Sequence, residues 1–344
     1  MRRLYYLILT FILHYQVTSQ TSPVNRQTFF LDDNVIEVTL TTDIKKLRTE
    51  KKVLTWQPAD ITMQFSDTSV ISEQISVQPR GIFRKNNCDI AALMLNFKTP
   101  ASPKLSALKK LKLVGGCSSS KNDELLLLKE YLTYKIYNFL SVMSYRVRLL
   151  HINYKDSKEK VRSYSQYAFL IEDTKDLTDR NSCKEIKKRV FPLDGADRLQ
   201  FNFVCLFQYM IGNTDWSIRQ YHNIKLMVPK TDTFAKPYVI AYDFDFAGLV
   251  NASYAIPKEG LGITSVTERL YRGFARTMDE LQVNLDVFKA KKDAIMFYIN
   301  NFSLISTRVK KDMTRYLEEF YDTIDDKKLV KAYFITRARV ELGR

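Results

Sequence analysis

Asp215 stands in the run Gly212-Asn213-Thr214-Asp215-Trp216, and Asn223 follows eight positions later in His222-Asn223-Ile224-Lys225-Leu226. Asp243 and Asp245 close a neighbouring run, Ala241-Tyr242-Asp243-Phe244-Asp245-Phe246-Ala247-Gly248. Hard carboxylate and amide oxygens suit Mg2+ or Mn2+, which keep several waters and bind substrate phosphates beside one or two protein carboxylates. A carboxylate outside the metal shell can accept or orient a hydroxyl proton. Asp215 is the candidate for that task, and Asn223, Asp243 and Asp245 are the candidate metal ligands. These are the parts of phosphoryl transfer, in which positioning and charge neutralisation supply most of the rate.

The elements that must position them can be read on either side. An apolar helix over residues 198–211 leads into the Asp215 loop, where Gly212, Asn213 and Thr214 are loop residues. Asn223 precedes an apolar strand over 224–227, and a second strand over 238–242 delivers Asp243 and Asp245. Side chains two apart on a strand share a face, so the two carboxylates are expected to point the same way. Upstream, residues 35–40, 60–65 and 74–78 alternate apolar with polar, the signature of an antiparallel sheet with one covered face. Pro79-Arg80-Gly81 is expected to turn the chain, with further strands at 91–97 and 111–114. Asn122 or Asp123 can cap a helix running to Leu140 that packs on the sheet, and strands at 147–152 and 167–171 complete this half. The character changes near Asp173, and residues 265–344 read as almost wholly helical. The expected fold class is α+β and two-lobed, a β-rich lobe over 20–172 and a mainly helical lobe over 173–344 carrying the metal and catalytic loops.

An arginine-glycine turn, a helix-on-sheet lobe, the Asn213-x-Asp215 loop followed by His222-Asn223, and the strand ending Tyr242-Asp243-Phe244-Asp245 together resemble the CotH family of secreted and spore-coat atypical protein kinases. The resemblance covers residues 77–250, about half the chain. It implies a protein-kinase-like fold that binds ATP with Mg2+ or Mn2+ between lobes and phosphorylates proteins. On that reading Asp215 is the catalytic Asp, Asn223 a metal or loop-positioning ligand, Asp243 the metal-binding Asp, and Asp245 a second ligand or a structural partner. Arg80 and Gly81 match the family's turn near the phosphates. The sequence departs from the family pattern after that turn, where Ile82 to Cys88 intervene and no lysine starts the next strand. Lys112, on a strand ahead of the helix bearing Glu130, is then the candidate for the lysine–glutamate pair that positions the α- and β-phosphates.

Plainer roles stand beside these. Asp243 and Asp245 could hold a structural calcium or cap a turn before Gly248. His222 is expected to be a loop histidine that hydrogen-bonds the Asp215 loop, and Arg269, Arg272, Arg146 and Arg148 to be solvated unless one faces a phosphate.

Composition bounds the rest. With 344 residues, 45% hydrophobic and 26% charged, the chain can bury a sizeable core. Arg2 and Arg3, the apolar run 4–17 and the exit Val17-Thr18-Ser19 have the layout of a signal peptide, cleaved after Ser19. That run is too short for a bilayer span and no later stretch suffices, so a periplasmic or extracellular protein without a membrane span is expected. The net charge of +15 favours acidic partners, a protein or acidic surface polymer as substrate. Base-stacking motifs are absent, which disfavours nucleic acid. Four cysteines allow three pairings, of which Cys88–Cys117 is favoured because both border strands of one sheet, with Cys205 a buried thiol. The lack of CxxC or HExxH spacing disfavours zinc. Two function classes remain: an exported kinase-like phosphotransferase moving the ATP γ-phosphate to a hydroxyl, or a non-catalytic, pseudokinase-like surface or matrix-binding protein.

Overall fold

A computed structural model describes residues 22–187, 191–192 and 194–339; the leader stretch 1–19 lies outside them. Seven strands form a closed barrel: β1 (Ile36–Thr42), β2 (Gln57–Gln64), β3 (Val70–Arg80), β4 (Ala92–Asn96), β5 (Lys110–Val114), β6 (Val147–Asp156) and β7 (Tyr164–Ile171), in the order β1-β2-β3-β4-β5-β7-β6. Period-two alternation sends Ile36, Val38 and Leu40 inward on β1, where they meet Ile61, Met63, Val77, Leu95, Leu113, Ile152 and Leu170. The barrel closes through a parallel pairing of β1 with β6, Ile36 opposite Leu150, which leaves no free sheet edge. The expected antiparallel sheet with one covered face is thus a closed barrel with one parallel pairing, and the covered face is the barrel's own interior. The third strand is also longer than expected at its end, since Pro79 and Arg80 still pair with Leu93 and Ala92 and the chain leaves only at Gly81, φ 83°.

The helices in chain order are α1 (Arg26–Phe29), α2 (Ile44–Thr49), α3 (Ile82–Asn87), α4 (Lys121–Leu140), α5 (Thr174–Arg180), α6 (Arg198–Met210), α7 (Met278–Asn301), α8 (Thr307–Asp325) and α9 (Lys327–Lys331). Helix α4 is capped by the Ser120 hydroxyl, which accepts from Asp123 N, rather than by Asn122 or Asp123 themselves. Its residues Leu127, Tyr131 and Tyr134 join Leu149 and Phe169, on the outer face of β6 and β7, in a second core shared with α6 to α8. Strands β8 (Cys183–Ile186), β9 (Ile224–Pro229) and β10 (Tyr238–Ala241) form an antiparallel sheet in the order β10-β9-β8, beside α6. The whole is mixed α+β. Residues 265–276 are not helical, against expectation; α7 begins only after Thr277, whose hydroxyl and Glu280 form a reciprocal capping box.

Cys88 and Cys117 are joined as a disulfide, and Cys183 and Cys205 are buried thiols. Among the described residues no helix is long and apolar enough to cross a membrane.

Candidate functional site

Two backbone bonds sew the Asp215 loop to the Asp245 loop: Gly248 N donates to Gly212 O (3.1 Å) and Leu249 N to Ile211 O (3.0 Å). This approach requires glycine at both positions. A Cβ on Gly212, φ 66°, would fall 2.0 Å from the Tyr316 hydroxyl, and one on Gly248 2.4 Å from it.

Within the first loop, the buried Asn213 side chain accepts from Asp215 N through Oδ1 (2.9 Å), an Asx turn that presents the next carboxylate. Paired bonds between Ser217 and His222 fold the following residues back, so that His222 and Asn223 return to Asp215. His222 Nε2 lies 2.9 Å from Asp215 Oδ1, and Asn223 Nδ2 donates to Asp215 Oδ2 (2.9 Å) and to Asp215 O (2.8 Å). With its nitrogen committed, Asn223 has its Oδ1 left over as an acceptor, the atom a hard cation would use. Asn223 sits at φ 52° and Asp243 at φ 64°, left-handed positions that Asn and Asp tolerate better than other non-glycine residues.

The second loop hangs from α4. Glu130 and Tyr134, one turn apart, hold consecutive backbone amides: Asp243 N donates to the Tyr134 hydroxyl (2.8 Å) and Phe244 N to the Glu130 carboxylate. Strand β10 ends at Ala241 and Asp243 is left-handed, so the pleat that was expected to align Asp243 with Asp245 does not reach them. Asp243 is exposed, whereas the Asp245 side chain is 12% exposed and accepts from the Tyr254 hydroxyl (3.2 Å).

Arg84, on α3, is the cation between the buried acids: its Nη2 lies 3.5 Å from Glu130 Oε2 and 3.9 Å from Asp245 Oδ2, and it also donates to Gly115 O. Glu130 thus has an arginine partner, and no ion pair among the described residues links it to Lys112. No signal in the sequence marked Arg84, because α3 was hidden in the insertion after Gly81. Burial raises both carboxyls above their ordinary values, Glu130 well above, and the negative neighbours Asp243 and, for Glu130, Asp245 push further in the same direction; Arg84 opposes without cancelling them.

On the other side of Asp243 the imbalance reverses. Arg80, at the end of β3, and Lys112, on β5, are largely desolvated, and burial lowers both. Lys112 falls to about 8, driven by burial first and then by the like charges of Arg80 and Lys225, with Asp243 and Asp173 opposing. Its ammonium lies 5.5 Å from the centre of the Tyr242 ring. The four oxygen residues and the two cations are therefore brought to one place, with Asp243 between them.

Among the described residues no three His, Cys, Asp or Glu side chains converge closely enough to cage a metal alone. The donor set fits a cation that completes its shell with phosphate and water oxygens, as Mg2+ does.

Arg272 was expected on a solvated helix face and instead lies against the Asp215 loop. It stacks 5.2 Å from the Trp216 ring, and Nη1 donates to Thr214 O (2.5 Å) and Trp216 O (2.7 Å), the carbonyls that flank Asp215. Arg269 stacks on Tyr316 (3.7 Å) and pairs with Glu319 (2.8 Å). Arg148 is buried and pairs with Asp32 (2.7 Å), far from any phosphate role.

No family model and no curated protein matches the chain. Among solved structures, the proinflammatory kinase CtkA of Helicobacter pylori aligns at 10% identity and a TM-score of 0.39, over 79% of this chain and 90% of that one. A likeness at that level carries no argument about activity, which has to rest on the residues of this chain.

Proposed function

We propose that the protein is a kinase-like phosphotransferase that binds ATP with Mg2+ or Mn2+ and transfers the γ-phosphate to a hydroxyl of a protein or surface polymer. One observation carries the reading: a surplus of acidic groups at Asp243, Asp245 and Glu130, with Arg84 alone between the last two, abuts a surplus of half-buried cations at Arg80 and Lys112. Each surplus is costly alone, and a metal–polyphosphate pair neutralises both. A bound divalent cation would offset the negative charge of the phosphates. Asn223 Oδ1, Asp243 and Asp245 are the groups that would hold it.

Arg80 and Lys112 bind phosphate oxygens on the barrel side. Arg84, kept in place by Glu130 and Asp245, carries the third charge toward the same space. Asp215, with both carboxylate oxygens already oriented by His222 and Asn223, accepts the acceptor hydroxyl's proton as its oxygen attacks the γ-phosphorus, whose bond to the β,γ-bridging oxygen breaks so that ADP leaves with that oxygen. The two-lobed kinase-like arrangement, the export and the acceptor class belong to the same proposal. A non-catalytic role would explain a retained metal site but gives no reason for the oriented Asp215.

Labelled-phosphate transfer by the purified mature protein tests it. Asp215→Asn should lower transfer by about a hundredfold to ten-thousandfold while nucleotide affinity is kept. Loss of binding together with transfer would mean that Asp215 is structural.

A further inference from the structure

A groove of about 450 Å3, lined by Arg26, Asn96, Lys98, Lys109, Lys110, Asp173, Lys175 and Asp176, opens on the strand that carries Lys112. Its two acids are already answered: Arg26 reaches both Asp176 and Asp173, the latter at 3.9 Å, and Lys175 pairs with Asp179. Lys98, Lys109 and Lys110 are exposed and have no carboxylate partner among the described residues; Lys110 lies 5.1 Å from the centre of the Trp56 ring. Lys109 is held at φ 56°, a left-handed backbone that lysine rarely adopts, at the entry to β5.

The strand register joins this groove to Lys112. Lys110 and Lys112 are two apart on β5 and so share its outer face, opposite Asn96 and Met94 of β4. Three lysines at the groove thus continue the line of cations that begins with Arg80 and Lys112. The lining contains no apolar side chain, so a nucleobase, acyl chain or hydrophobic peptide would find nothing to bury there. What it offers is charge on mobile ammonium groups, the complement of an extended, hydrophilic, acidic chain.

We infer that this groove docks an acidic segment of a protein, and that the segment leads the acceptor toward Asp215. Only the second clause rests on the phosphotransferase reading; the docking is tested without it.

The full mature chain is titrated into a labelled peptide of roughly ten residues rich in Glu and Asp, about 33 Å when extended, with a neutral peptide as control. Salt is set at about 0.15 M, where exposed charges beyond about 8 Å are screened. The double variant Lys98→Gln/Lys110→Gln should weaken binding about tenfold, while Lys291→Gln/Lys328→Gln, two lysines removed elsewhere, should change it by less than about twofold. Equal loss in both pairs means general attraction to a basic protein and overturns the site. So does the absence of binding to any acidic peptide, or tighter and equally lysine-dependent binding of inorganic polyphosphate. Mg-ATP binding by the same samples separates the two ideas: docking without nucleotide binding sinks the phosphotransferase reading alone, and nucleotide binding without docking sinks this one alone.

Discussion

Both oxygens of the Asp215 carboxylate are engaged, one by His222 and one by Asn223, and the carbonyls on either side of it are held by a single guanidinium nitrogen of Arg272. An aspartate so fixed loses little freedom on meeting a substrate hydroxyl. On the phosphotransferase reading proposed above, Arg272 acts through Asp215 as a positioning residue. Arg272→Lys should cut kcat by about a hundredfold, since small misplacements of a reacting group have that cost, and leave KM for nucleotide within about twofold. A fall in nucleotide affinity of the same size would make it a binding residue instead. Lys112 gives a pH-dependent signal. Because its folded value is lowered to about 8 against 10.5 for the free side chain, the native state binds fewer protons between those values, and stability rises with pH across that window. A phosphate beside it restores the charged form. Nucleotide binding near pH 8.5 should therefore take up close to one proton, measured by calorimetry in buffers of different ionisation enthalpy, and Lys112→Met should abolish the uptake. The local contacts of Asp215 and Asn223 could be read from residue type and spacing. Those of Arg84 and Arg272 could not, because each depends on a partner more than 40 positions away.

Helix α3 is the element on which the cation balance turns. It follows a left-handed Gly81, makes few contacts with β3, and is tied at its far end by the Cys88–Cys117 bond to the loop after β5. The same loop supplies Gly115 O to Arg84. Reduction of that bond frees a loop with a sequence separation of 29 and should cost about 3.6 kcal/mol of stability in the chain-entropy account. Urea unfolding with and without reductant, compared with the Cys88→Ser/Cys117→Ser variant, measures it. Mg-ATP affinity should fall in parallel; unchanged affinity would mean that Arg84 needs no tether. Strands were legible because inward residues alternate, and α4, α6 and α7 because their apolar positions recur at helical spacing. Helix α3 and β8 were not: Ile82 to Asn87 buries no residue, and Cys183 to Ile186 is a short edge strand with charges at Lys184 and Glu185. Closure of the barrel was equally hidden, since the β1–β6 contact is non-local and leaves the alternation pattern unchanged.

At the scale of the whole molecule, the described residues bury two separate hydrophobic cores. One fills the barrel, and the other joins α4, α6 and the small sheet to the C-terminal helices. Helix α4 links them, packing on β6 and β7 while holding the Asp243 loop through Glu130 and Tyr134. A ligand that neutralises both charge surpluses should stabilise the entire fold by mass action. The direct test is thermal unfolding of the protein with Mg2+ and ATP together, with each alone, and with Asp243→Ala. Tm should rise by about 4 °C or more at a hundredfold excess over Kd, with both ligands required and the rise lost in the variant. No rise with any nucleotide and metal, or the same rise in Asp243→Ala, would contradict a metal–nucleotide site between the two charge surpluses.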